Sequence, residues 1–137
     1  MTDRAEVAPE IVARLGLVCL GLPEAYEEPA WVGTRWCVRK RTFAHVLVID
    51  AGWPPAYAQA AGSNGPITVL TVRVPAAKLP APRLTRPPFF RPVWFPNIVG
   101  LMIDDRVDWD DVADLLVDSY CVLAPKKLVA EIDRPPG

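Results

Sequence analysis

At 137 residues, 51% of them hydrophobic, with a net charge of -1, the chain has the size and apolar content of one folded domain. This excludes a disordered tail, and the near-neutral total excludes attraction to nucleic acid or an acidic membrane by bulk charge alone. No apolar run reaches the ~20 residues of a membrane span, and the first ten residues, with Asp3, Glu6 and Glu10, lack a secretory pattern. Cys19, Cys37 and Cys121 are odd in number and widely spaced, as reduced thiols in a cytoplasmic protein are.

Ala8-Pro9-Glu10 predicts the start of a helix, because proline and a carboxylate both suit a first turn. Ile11, Val12, Leu15, Val18, Cys19 and Leu22 form its apolar face, and Gly21 and Pro23 end it. Residues 24–29 read as an acidic connection. Thr34 to Val38 and Thr42 to Ile49 are rich in β-formers and predict a hairpin. Its turn, Arg39-Lys40-Arg41, lacks the glycine or asparagine of a tight turn, which points to a longer loop. With Val38 opposite Thr42, Arg35 faces His45 and Cys37 faces Phe43.

Residues 51–66 read as a loop, with a helical turn at Tyr57 to Ala61. Ile67 to Val74 is apolar on both faces, as a central strand is. The proline-rich stretch from Pro75 to Pro96 contains Leu79, Leu84, Phe89, Phe90, Val93, Trp94 and Phe95, so it should pack, with a short edge strand near Phe90 to Phe95. Ile98 to Ile103 is the last strand. Asp108 can cap the next helix, whose apolar stripe is Trp109, Val112, Leu115, Leu116 and Tyr120. Ala124-Pro125 starts a second, shorter helix through Leu128, Val129 and Ile132, and the tail from Arg134 cannot continue it. Strands flanked by helices predict an α+β domain over residues 1–137, with its core at about 8–132. A single antiparallel β-sheet has flanking N- and C-terminal helices, which cover one of its faces.

The neutral total hides a segregated charge pattern. Nine cations stand against Asp50 alone between residues 29 and 103, whereas seven aspartates stand against Arg106 between 104 and 118. On the C-terminal helix Asp110, Asp111, Asp114 and Asp118 form a like-charged face that a basic surface elsewhere must offset. It reads as a solvated face, since a line of carboxylates does not converge on a cation. No phosphate loop, nucleophile elbow or zinc spacing occurs. Cys37 and His45, the one histidine, share a sheet face. A packed thiol and a half-buried imidazole are the plainer reading than a reactive pair.

Leu22-Pro23-Glu24-Ala25, a following tryptophan and the basic hairpin ending in Thr42-Phe43-Ala44 resemble the MmcQ/YjbR family. So does the run from Val107-Asp108-Trp109-Asp110 through Leu115-Leu116 and Ser119-Tyr120 to Ala124-Pro125-Lys126-Lys127-Leu128. The resemblance covers roughly residues 10–132. It implies a small α+β protein with an antiparallel, CyaY-like (frataxin-like) sheet, of a kind labelled DNA-binding from a double-wing likeness and with no settled activity. The chain departs from it at the hairpin tip, where many members have glycine, and in the proline-rich 75–96 segment.

Three functional readings follow. The first is non-enzymatic DNA binding, with Arg35, Arg39, Lys40 and Arg41 on the hairpin and Lys126 and Lys127 at a helix start as phosphate contacts, and Trp31 and Trp36 beside them as stacking rings. The second is a homodimer in which the acidic helix of one subunit meets the basic hairpin of another. The third, an enzyme or small-ligand binder, has least support, because no convergent polar set is visible in the sequence. No cofactor and no membrane partner is expected.

Overall fold

In a computed structural model of the chain, residues 6–75, 81–92 and 97–132 are described. The elements among them are α1 (Pro9–Cys19), β1 (Tyr26–Pro29), β2 (Thr34–Val38), β3 (Arg41–Ile49), α2 (Pro55–Ala61), β4 (Ile67–Arg73), β5 (Phe89–Phe90), β6 (Ile98–Ile103), α3 (Trp109–Leu123) and α4 (Lys126–Val129). The six strands form one antiparallel sheet in the order β1-β2-β3-β4-β6-β5. The expected α+β class is therefore the observed one.

Alternation along the strands sends one set of side chains to each face. On one face α1 and α3 bury Trp36, Val38, Phe43, Val46, Leu70, Val72 and Val99 against Leu15, Val112, Leu116 and Tyr120. Asp108 caps α3 as expected, its carboxylate accepting from the N–H groups of Asp110 (3.0 Å) and Asp111 (3.3 Å). Arg14 of α1 lies 4.8 Å from the Trp109 ring centre and joins the two helices at their edge.

Ser119 is fully buried on α3 and makes two bonds into the sheet. Its hydroxyl donates to the Phe43 carbonyl (2.5 Å) and accepts from the Arg73 N–H (2.7 Å). A β-bulge explains the first bond. Register shifts between Trp36 and Cys37, so that Trp36 faces Ala44, Cys37 faces Thr42, and Phe43 is left without a partner in the ladder.

Among the described residues, the other sheet face is covered only in part. Helix α2 packs on Leu47, Ile49 and Val69 through Ala58, next to Phe90. This helix is longer than the single turn expected at Tyr57 to Ala61. Pro55 starts it, four alanines favour it, and Gly62 ends it in a left-handed conformation while the Ser63 N–H bonds back to the Ala58 carbonyl. Phe90 lies over Gly100, where any Cβ would fall 2.2 Å from its ring.

Two further expectations need correction. Residues 26–29 are a strand, not a connection. Glutamates are poor strand formers, but each here has a partner on β2: Glu27 accepts from Trp36 Nε1 (2.9 Å) and Glu28 from Arg35 Nε (2.7 Å), on opposite faces. The hairpin turn is tight, not long. Val38 pairs with Arg41, and Arg39 (φ 50°) and Lys40 (φ 66°) both take the positive φ of a type I′ turn. The expected edge strand near Phe90 to Phe95 appears as Phe89–Phe90. Residues 93–96, Leu79 and the tail from Arg134 lie outside the described residues.

Candidate functional site

The six predicted contact residues divide into two groups. Arg35 points to the partly covered sheet face and pairs with Glu28 through Nε and Nη2, both on one carboxylate oxygen. Of the other five, Arg39 and Lys127 act on Glu24, while Lys40 and Arg41 follow Arg39 in the hairpin and Lys126 precedes Lys127 in α4. Arg39 donates to both Glu24 oxygens (2.9 and 3.3 Å). The Glu24 carboxyl is held below its ordinary value chiefly by this hydrogen bonding, against some desolvation, and further by the charges of Arg39 and Lys127. The hairpin tip and α4 thus come within electrostatic reach of each other. Lys40, Arg41, Lys126 and Lys127 are exposed there.

What joins these elements is Tyr120, whose hydroxyl donates to the Pro23 carbonyl (2.7 Å) and fixes the Pro23-Glu24 corner to α3 just before α4. Helix α4 has only four residues, so its dipole adds little to the lysine charges expected to act with it.

The stacking rings separate as well. Trp36 is fully buried, while Trp31 is 69% exposed. The acidic face of α3 meets a basic residue of its own chain: Arg83 holds Asp111 through two bonds of 3.1 Å. Cys37 and His45 do not pair. The Cys37 thiol lies 3.6 Å from Thr42 Oγ1, and His45 turns to Val32 and Tyr57 instead. Cys19 is buried on the helix side, where loss of solvation raises its pKa far above the ordinary range.

A second arrangement was not legible in the sequence. Beside α2, the partly covered sheet face holds a cleft of about 250 Å³, lined among others by Trp31, Arg35, His45, Tyr57, Thr71 and Arg73. Arg35, His45 and Thr71 stand side by side across β2, β3 and β4. His45 Nε2 lies 2.6 Å from the Val32 carbonyl, which can only accept, so this nitrogen carries the proton. Its Nδ1 then accepts from Tyr57 Oη at 3.4 Å. Burial lowers the His45 pKa, outweighing the Val32 bond that raises it, and Arg35 lowers it further. The signal that could have found this row is the polar residue at the same parity in each apolar strand.

Among the described residues no three His, Cys, Asp or Glu side chains form a group able to hold a metal ion, and no helix is long and apolar enough to cross a membrane.

Fold and surface together define a small α+β protein with one helix-covered sheet face, one half-open face and a basic end. The YjbR family model matches residues 20–122, and the chain belongs to that family. No curated protein and no solved structure gives a significant match. The matched segment spans the Pro23-Glu24 corner, the hairpin and all but the last residue of α3.

Proposed function

We propose that this YjbR protein is a non-enzymatic, cytoplasmic nucleic-acid-binding protein that holds DNA phosphates with its basic end. The observation that carries this reading is that Glu24 accepts from Arg39 and feels the charge of Lys127, which brings the Arg39-Lys40-Arg41 hairpin tip and the Lys126-Lys127 start of α4 to one end of the molecule. Two of these cations occupy left-handed backbone positions that Asn-Gly fills at lower cost, so the turn sequence is not explained by turn stability. Arg35 lies apart from these, on the sheet face, where it pairs with Glu28.

Contacts of this kind neutralise phosphates without reading bases, so binding should be similar across sequences and weaken steeply with salt. Fluorescence anisotropy with labelled duplex and single-stranded DNA at two salt concentrations tests it, and no binding at low salt would remove the reading. Homodimer formation through the basic hairpin and the acidic helix receives less support. One residue from each of the two surfaces it would use, Arg39 of the hairpin and Asp111 of the acidic helix, already pairs with Glu24 and Arg83 of the same chain.

A further inference from the structure

Beside the basic end one aromatic ring is left in the open. Tyr26, the first residue of β1, stands opposite Cys37 on β2, two residues before Arg39 opens the hairpin turn. That is about 7 Å along the strand. The other rings near this end lie in the core. Trp36 and Tyr120 are fully buried and Phe43 is 1% exposed, whereas Tyr26 is 37% exposed. Trp31, the other exposed ring among the described residues, lies beyond the opposite end of β2, before Thr34.

The phenol of Tyr26 reaches the Lys40 backbone N–H and the Cys37 side chain, so the ring lies along the hairpin. β1 is the edge of the sheet, and among the described residues no further strand runs beside it. The carboxylate that acts on Tyr26 is Glu28, which Arg35 takes up. Glu27 turns to the opposite face, where it accepts from Trp36 Nε1. Lys40 and Arg41 are exposed, and among the described residues they make no ion pair.

A duplex keeps its bases stacked on one another and offers a protein phosphates and groove edges. A single strand can turn a base out and lay it on an aromatic face. Charge alone favours the duplex, whose phosphates are more closely spaced along its axis. An exposed ring beside two exposed cations reverses that choice.

We propose that the basic end takes single-stranded DNA, with an unpaired base against Tyr26 and neighbouring phosphates on Lys40 and Arg41. This rests on the phosphate-binding reading of the same end and adds the kind of strand it holds.

The test is fluorescence anisotropy of the full chain at low salt with labelled oligothymidylate of about 12 nucleotides, long enough for an ordinary single-strand site. An abasic strand and a duplex of the same length run in parallel. The abasic strand has the same phosphates and no bases. Oligothymidylate should bind about tenfold more tightly than either. Tyr26→Leu should bring oligothymidylate affinity down to that of the abasic strand, whereas Tyr26→Phe, which keeps the ring, should bind close to the parent. The abasic comparison needs no variant, so it decides even if Tyr26→Leu fails to fold. Equal affinity for oligothymidylate and the abasic strand overturns the proposal and leaves phosphate binding standing. So does tighter binding of the duplex, or a folded Tyr26→Leu variant that binds oligothymidylate as the parent does. No binding of any strand removes both.

Discussion

Tyr120 Oη donates a 2.7 Å hydrogen bond to the Pro23 carbonyl across 97 residues of sequence. The ring is fully buried and meets Phe43 edge-on at 5.5 Å, so one side chain ties the end of α3 to the α1–β1 corner and to the start of β3. Glu24 follows Pro23, and the hairpin tip hangs on Glu24. The geometry of the basic end is thus set from the core outward. Tyr120→Phe should cost about 0.5–1.5 kcal/mol for the lost bond, and more if the Pro23 carbonyl stays dry. Urea denaturation reads this directly, and an unchanged midpoint would show that the bond contributes nothing.

Ser119, one residue earlier, should matter more. Ser119→Ala strands a buried carbonyl at Phe43 and an N–H at Arg73, at about 1–3 kcal/mol for each group left unsatisfied. Hydrogen exchange should also speed up at the Arg73 amide. If that amide stays as protected as in the parent, Ser119 does not hold it.

Leu116 is fully buried between α3 and the sheet. Leu116→Ala should destabilise by about 2–5 kcal/mol through lost burial and a residual cavity. A thermal melt that does not move would place Leu116 outside the core.

His45 provides a pH test free of overlap, because the chain has one histidine. Its folded pKa is lowered from 6.5, chiefly by burial. The unfolded chain therefore takes up a proton before the native one does. The stabilisation is fully present above pH 6.5 and is lost as pH falls from there through the folded value. The imidazole signals should show no titration at pH 6.5 in the native protein, and the urea midpoint should drop between pH 7.5 and 5.5. A native imidazole titrating at 6.5 or above would contradict the burial and the Val32 bond.

Much of this structure was legible in the sequence for identifiable reasons. The α3 stripe and its Asp108 cap are local, periodic signals, and both were found where expected. Strand β4, apolar on both faces, is central as its pattern indicated. What could not be read depended on partners distant in sequence or on the sheet register. β1 is a strand because Glu27 and Glu28 meet Trp36 and Arg35, and local propensity argues against it. The tight turn was hidden because Arg39 and Lys40 adopt a conformation their type disfavours, with Arg39 anchored by Glu24. The basic residues could be named from the sequence, but their division into a sheet-face arginine and a group at the hairpin tip and α4 needed the fold. The cleft needed Tyr57, placed by a helix whose length the loop-like composition concealed.

The most direct test of phosphate binding by the basic end is salt-dependent DNA anisotropy on a variant that loses charge without losing the turn. Lys40→Gly places glycine at a φ of 66°, which should stabilise the hairpin by roughly 1 kcal/mol. Combined with Arg41→Ser it removes two exposed cations and leaves the Arg39–Glu24 pair in place. Binding by the parent should fall linearly in log–log form with salt, and the variant's slope should be shallower by up to about 1.8, at about 0.9 per lost phosphate contact. A parent that fails to bind at low salt, or a folded variant with an unchanged slope, would contradict the assignment.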